Sequence, residues 1–207
     1  MIYRRAKIGE DLMEAEIKGL VHEGARQTHG QEPRIGTQVS IRVATPRDAE
    51  RLRAMFSRVS PESIYRRFHT PYPEVPERML TLMLGVEDQH DRESLVAVAR
   101  GEIVGHAMYA RLGDGAEAEM AIIVEDGWQS KGLGKLLLSE LAERARLRGV
   151  ETFTGEVLGE NRRMLALAAT MFAETDYAIR DGVYHVRMPL GKPNSAAYAA
   201  RTLRRAA

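Results

Sequence analysis

The segment from Ile122 to Leu147 restricts the possible folds of this chain more than any other. Ile122, Ile123 and Val124 form an apolar run. Gly127, Gly132 and Gly134 punctuate the loop that follows. Leu133, Leu137, Leu141 and Ala145 then recur at i, i+4 spacing until Gly149. That pattern predicts a strand, a glycine-rich loop and an amphipathic helix in direct succession. Glycines let a backbone approach a ligand, and the free amides of a helix start attract an anion. With Lys131 and Lys135 beside the loop, the segment reads as a cradle for a phosphate or pyrophosphate.

Two familiar cradles do not match. A Walker loop needs Gly-Lys-Ser/Thr at its end. Gly132 is followed by Leu133, and Gly134-Lys135 is followed by Leu136 with Gln129 where the first glycine belongs. A dinucleotide fingerprint needs a third glycine at position 137, which is leucine, and a mostly parallel sheet. The surrounding sequence predicts a different sheet. A strand begins at Ser40, and Thr45-Pro46 starts a helix carrying Leu52, Met55, Phe56 and Val59. Ser60-Pro61 starts a second helix with Ile64, Tyr65 and Phe68, and a third runs from about Glu77 to Leu84. Strands at 94–99, 103–110 and 118–124 are joined by short turns, which predicts an antiparallel meander. After the long helix come a strand at 152–157, a helix from about Asn161 to Ala173, and a hairpin turning at Asp181-Gly182. The helical crossover from 118–124 to 152–157 makes those two strands parallel.

The spacing Gln129-x-x-Gly132-x-Gly134 fits the Q/R-x-x-G-x-G/A signature. With the element order over residues 40–190, the chain resembles the GNAT superfamily of acyl-CoA-dependent N-acyltransferases. The resemblance implies an α/β (α+β) fold. Its central sheet is mixed and mostly antiparallel, one parallel pair splays around the acyl-CoA cleft, and helices cover both faces. It implies that acetyl-CoA is the cosubstrate. The coenzyme pyrophosphate would rest on Gln129, Ser130, Lys131, Gly132, Leu133, Gly134 and Lys135. The strand Met120–Val124 would pair with the pantetheine arm through Ile122, Ile123 and Val124, and Asn161 would also contact that arm. The Arg162-Arg163 pair could meet the 3′-phosphate or simply be solvated, and Trp128 reads as loop packing.

N-acylation needs a neutral amine, so a base near the thioester is useful. Strand alternation puts Glu119, Ala121 and Ile123 on one face. Glu119 is the expected general base, directly or through water, against the simpler reading of a solvated strand residue; Glu117 is the spare. Many relatives carry a tyrosine as general acid seven residues after the helix asparagine, but here that position is Ala168. Tyr177 is the nearest tyrosine. Their usual Gly-Phe helix ending is altered to Phe172-Ala173. His106 and His185 read as packed or surface residues. No metal-ligand spacing occurs, so no metal is expected.

Ser60 to Phe68 and Asn161 to Ala168 are similar to segments of bacterial Pat-type protein lysine acetyltransferases. The expected reaction is therefore acetyl transfer to a primary amine, with a protein lysine as one acceptor. A small-molecule amine acetyltransferase, a non-catalytic acyl-CoA sensor and a nucleotide-binding protein are the alternatives. The absence of cysteine removes a disulfide framework and an acyl-cysteine intermediate, so transfer would be direct. The net charge of +1 gives no field for nucleic acid, and no apolar run reaches membrane-spanning length. No nucleic-acid or membrane partner is expected; a cytoplasmic monomer or homodimer is. Residues 1–39 read as a partly helical arm and linker, 40–190 as the acetyltransferase domain, and 191–207 as a tail with four basic and no acidic side chains.

Overall fold

A computed structural model describes residues 39–84, 91–172 and 174–191. The expected arm at 1–38 and the tail beyond 191 lie outside the described residues. Seven strands form one sheet: β1 (Val39–Val43), β2 (Arg92–Ala99), β3 (Glu102–Arg111), β4 (Glu117–Val124), β5 (Thr152–Leu158), β6 (Asp176–Arg180) and β7 (Val183–Pro189). Their spatial order is β1-β2-β3-β4-β5-β7-β6. Every neighbouring pair is antiparallel except β4 and β5, which are parallel as the crossover predicts.

Among the described residues five α-helices cover the sheet: α1 (Ala49–Phe56), α2 (Pro61–Phe68), α3 (Glu77–Met83), α4 (Leu133–Leu147) and α5 (Arg162–Met171). Alternation along the strands divides the core in two. Leu95, Ala107, Tyr109, Ala118 and Met120 pack with Leu133, Leu137, Leu141 and Leu165 under α4 and α5. On the opposite face Val96, Ile103 and Ile123 pack with Leu52, Met55, Ile64, Leu80 and Met83 under α1, α2 and α3. Gly105 on β3 permits the close approach of α4. A Cβ there would lie 2.9 Å from Leu137 Cδ1, which is tighter than packed carbons tolerate.

Two helix starts differ from expectation. Thr45-Pro46 opens a 3₁₀ turn over Pro46–Asp48, and α1 begins only at Ala49. The Asp48 carboxylate explains this. It turns back to accept the Thr45 N–H at 2.9 Å and a bidentate pair from Arg42 at 2.6 and 2.7 Å, which tightens the first turn. The α5 helix is shorter than the expected 161–173. Asn161 is its N-cap, accepting the Met164 N–H on Oδ1 at 3.2 Å.

Candidate functional site

The β4–β5 pairing is brief. Its register runs Glu117 to Thr152, Ala118 to Phe153 and Glu119 to Thr154, and stops there. Beyond Glu119 the two strands part, leaving the edges of Met120–Val124 unmatched by β5. A strand edge with free N–H and C=O groups is a template for another extended backbone or an amide-bearing arm.

At the open end of β4 the chain turns through Asp126–Trp128 into the glycine-rich loop. Ser130 has φ 58° and Gly132 has φ 90°, so two residues near the helix start are left-handed. The amides of residues 130–135 belong to this turn and to the first turn of α4. None of them donates to a backbone acceptor among the described residues, and the first loop-closing bond is Leu136 N–H to Gly132 O at 3.1 Å. Helix α4 then supplies its positive end. The segment from Gln129 to Lys135 thus brings backbone amides without a backbone acceptor to the start of a helix.

Several of its side chains are tied back into the protein. Gln129 holds the loop together. Its amide nitrogen donates to Val124 O at 3.0 Å and to Ser63 Oγ at 3.2 Å, while its oxygen accepts from Arg163 at 2.9 Å. Lys131 turns back onto Gly127 O at 2.5 Å and lies 5.8 Å from the Trp128 ring centroid. Lys135 is exposed. Asp126 clamps the start of α2. It accepts Ser60 N–H at 2.8 Å, Ser60 Oγ at 2.9 Å and Ser63 Oγ at 2.8 Å. Burial works to raise its pKa, but these bonds outweigh it and hold the carboxyl below the usual aspartate range. The motif shows Gln129 in the sequence, but not that its partner would be a serine 66 positions earlier.

Helix α2 crosses over the point where β4 and β5 part. Ser63 and Arg67 are one turn apart on its sheet-facing side. Ser63 meets the loop, and Arg67 reaches into electrostatic range of Glu119 on β4 and His106 on β3. The helix ends at His69, left-handed with φ 52°, whose Nδ1 lies 3.9 Å from Glu156 on β5. His185 of β7 approaches the same carboxylate at 3.3 Å.

A cleft of about 590 Å³ opens on this face, lined by Glu119, Thr154, Glu156, Asp176, Tyr177 and His185 among others. Glu119 is exposed and has no hydrogen bond or ion pair among the described residues. Glu117, the spare base, is paired with Arg187. Tyr177 also lines the cleft; burial pushes its phenol up to about 12, with the Thr175 hydroxyl opposing. His106 is a core residue. Its Nε2 contacts Ser94 Oγ at 2.7 Å and Met83 O at 3.0 Å. Burial depresses its pKa to about 4, helped by Arg67 and opposed by the Met83 carbonyl. Among the described residues there is no group of three or more His, Asp or Glu able to hold a metal ion, and no helix long and apolar enough to cross a membrane.

The family model described as "Acetyltransferase (GNAT) family" matches residues 58–172. The sequence is 33% identical over 134 residues to "Acetyltransferase Pat" of Mycolicibacterium smegmatis, covering 63% of this chain and 40% of that protein's length. The fold matches the GNAT domain of S. lividans PAT with a TM-score of 0.67 at 32% identity, over 73% of this chain and 90% of that one. It also matches a GNAT superfamily phosphinothricin acetyltransferase from Sinorhizobium meliloti in complex with AcCoA. That TM-score is 0.60 at 19% identity, over 77% of this chain and 92% of that one.

Proposed function

From the finding that the chain belongs to the GNAT acetyltransferase family, we propose that it moves the acetyl group of acetyl-CoA to a primary amine, with a protein lysine as acceptor and Glu119 as general base. The observation that carries this reading is the end of the β4–β5 pairing at Glu119 and Thr154. It leaves an unpaired carboxylate where a strand edge becomes available to a thioester-bearing arm. The amides of residues 130–135 suit the pyrophosphate, since they converge at a helix start and have no acceptor of their own. In this reading Ile122, Ile123 and Val124 offer the β4 edge to the pantetheine arm, and Asn161, the cap of α5, contacts that arm.

The chemistry assigned to the site is a direct transfer. The protonated amine gives its proton to the Glu119 carboxylate, directly or through one water. The nitrogen lone pair then attacks the thioester carbonyl carbon, the C–S bond breaks, and the coenzyme leaves as a thiolate. The nitrogen then sheds its second proton, which neutralises that thiolate directly or through solvent, and Glu119 returns the first proton to solvent. Ala168 contributes no acid, and a thiolate needs little help to leave. The acidic cleft wall of Glu119, Glu156 and Asp176 favours a cationic acceptor. The names of the Pat relative and the matched Pat domain agree with the resemblance to Pat-type protein lysine acetyltransferases, and that resemblance favours a protein lysine over a free small amine. A cytoplasmic location belongs to the same reading.

The test is thiol release from acetyl-CoA with lysine-containing proteins and small amines, read alongside mass spectrometry of the acceptor. Glu119→Gln is expected to lower kcat at pH 7 by about 10²–10⁴. Acetyl-CoA binding without release over the whole panel would instead make the protein a binding module. An unchanged kcat in Glu119→Gln would remove the base from this residue.

A further inference from the structure

Arg67 is a charged group beside this cleft, within electrostatic range of its Glu119 wall, that the transfer chemistry does not use. It extends from the sheet-facing side of α2 towards Glu119 and His106. Protein surrounds its guanidinium closely enough to lower its pKa to about 10, against the pull of Glu119. Its Nε is buried without a hydrogen-bond partner, and no carboxylate among the described residues lies within ion-pair distance of it. Its guanidinium carbon lies 4.8 Å from the centroid of the Phe68 ring. Ten other arginines of the described residues hold ion pairs or hydrogen bonds to carboxylates, carbonyls or amides; Arg67 holds none.

An enclosed cation with unused donors is costly to keep, because burial removes water that would otherwise satisfy it. A guanidinium offers a planar fork that matches a carboxylate. Its position matters as much as its chemistry. In the proposed reaction Glu119 stands beside the attacking amine, and Arg67 lies within electrostatic range of Glu119 on the helix above. Together they present one negative and one positive group to a single acceptor. We propose that Arg67 is the anion-recognising group of the acceptor site, and that the preferred acceptor is an amine bearing a carboxylate nearby. For a protein lysine this is an aspartate or glutamate flanking it; for a free amino acid it is the molecule's own carboxylate.

This rests on the acyltransferase reading, but its test is separable from turnover. Calorimetry on the full chain loaded with coenzyme A compares two pairs of probes. One pair is a single-lysine peptide with glutamate flanks and its glutamine-flanked counterpart. The other is Nα-acetyl-lysine and its amide. The carboxylate member of at least one pair is expected to bind about tenfold or more tightly, as a hydrogen-bonded charge pair would give. The pair that discriminates identifies the source of the carboxylate. In Arg67→Gln the ratio is expected to fall to about one, and in Arg67→Lys to be partly retained. Thermal unfolding confirms that each variant is folded, and the comparison of probes on the unmodified protein needs no variant. Equal binding within both pairs, including no binding of either member, overturns the proposal. So does a preference that survives in Arg67→Gln. Absence of thiol release with every acceptor refutes the transfer reading without touching this result.

Discussion

The substitution Asp126→Asn tests whether the glycine-rich loop holds helix α2 in place. Asp126 accepts three hydrogen bonds from the first turn of α2, at 2.8, 2.9 and 2.8 Å. Asparagine keeps the shape but offers a single acceptor oxygen, and its NH₂ group confronts a donor where Oδ2 had received one. Each bond to a carboxylate is worth about 1.5–3 kcal/mol when enclosed. Asp126 is exposed, so solvent screens the set and about 2 kcal/mol is expected in total. For a domain of this size that is a fall in Tm of about 4–8 °C. The functional effect should be one-sided. Arg67 and His69 ride on α2, whereas the loop keeps its own bonds through Gln129 to Val124 and Arg163. The kcat/KM for the acceptor is therefore expected to fall about tenfold or more, with the Kd for acetyl-CoA changed less than about threefold. Thermal unfolding, calorimetry and initial rates read these quantities separately. A Ser63→Ala, Asp126→Asn double-mutant cycle should show a coupling of about 0.5 kcal/mol or more. An unshifted Tm, or a Kd for acetyl-CoA that weakens as much as kcat/KM, would refute the reasoning. The carboxyl is held below the usual aspartate pKa, so the clamp is complete at pH 7 and is lost only as pH falls through and below about 4.

Two further outcomes follow from the same geometry. His106 has a folded pKa of about 4, against about 6.5 in an unfolded chain, so the unfolded state binds the extra proton between those values. Stability should therefore fall by about 3 kcal/mol between pH 7 and 4 on its account, and His106→Gln should flatten that part of the pH–stability curve; parallel curves for the two proteins would count against it. Gly132→Ala puts a side chain at φ 90°, which costs about 1–2 kcal/mol and crowds the loop amides. Calorimetry should show acetyl-CoA binding weakened about tenfold or more, and an unchanged Kd would end the assignment of this loop to the pyrophosphate.

Much of the architecture was legible because it is written in local periodicity. The i, i+4 leucines of α4, the alternation of β4 and the short turns of the meander are properties of neighbouring residues. The parallel β4–β5 pair followed from the handedness of a helical crossover. The Asp48 turn was not legible, because its cause is an arginine on β1 whose position relative to Thr45 exists only after folding. The site divides in the same way. Gly132 and Gly134 announce a cradle through spacing alone. Gln129 sits in that spacing, yet its bonds to Ser63 and Arg163 join parts of the chain separated by tens of residues. Arg67 gave no local sign at all. One arginine beside another on a short helix looks solvated until the sheet beneath it is known.

The three-residue pairing of β4 and β5 makes the sheet mechanically two leaves on a short spine. One leaf, β1 to β4, ends in the loop that α2 grips through Ser63. The other, β5 to β7, carries Glu156 beneath His69. Helix α2 is then a strut between the leaves, and its length and footing set the aperture through which a thioester can be reached. Changes at either foot of that strut can widen or narrow the opening without altering a residue inside it.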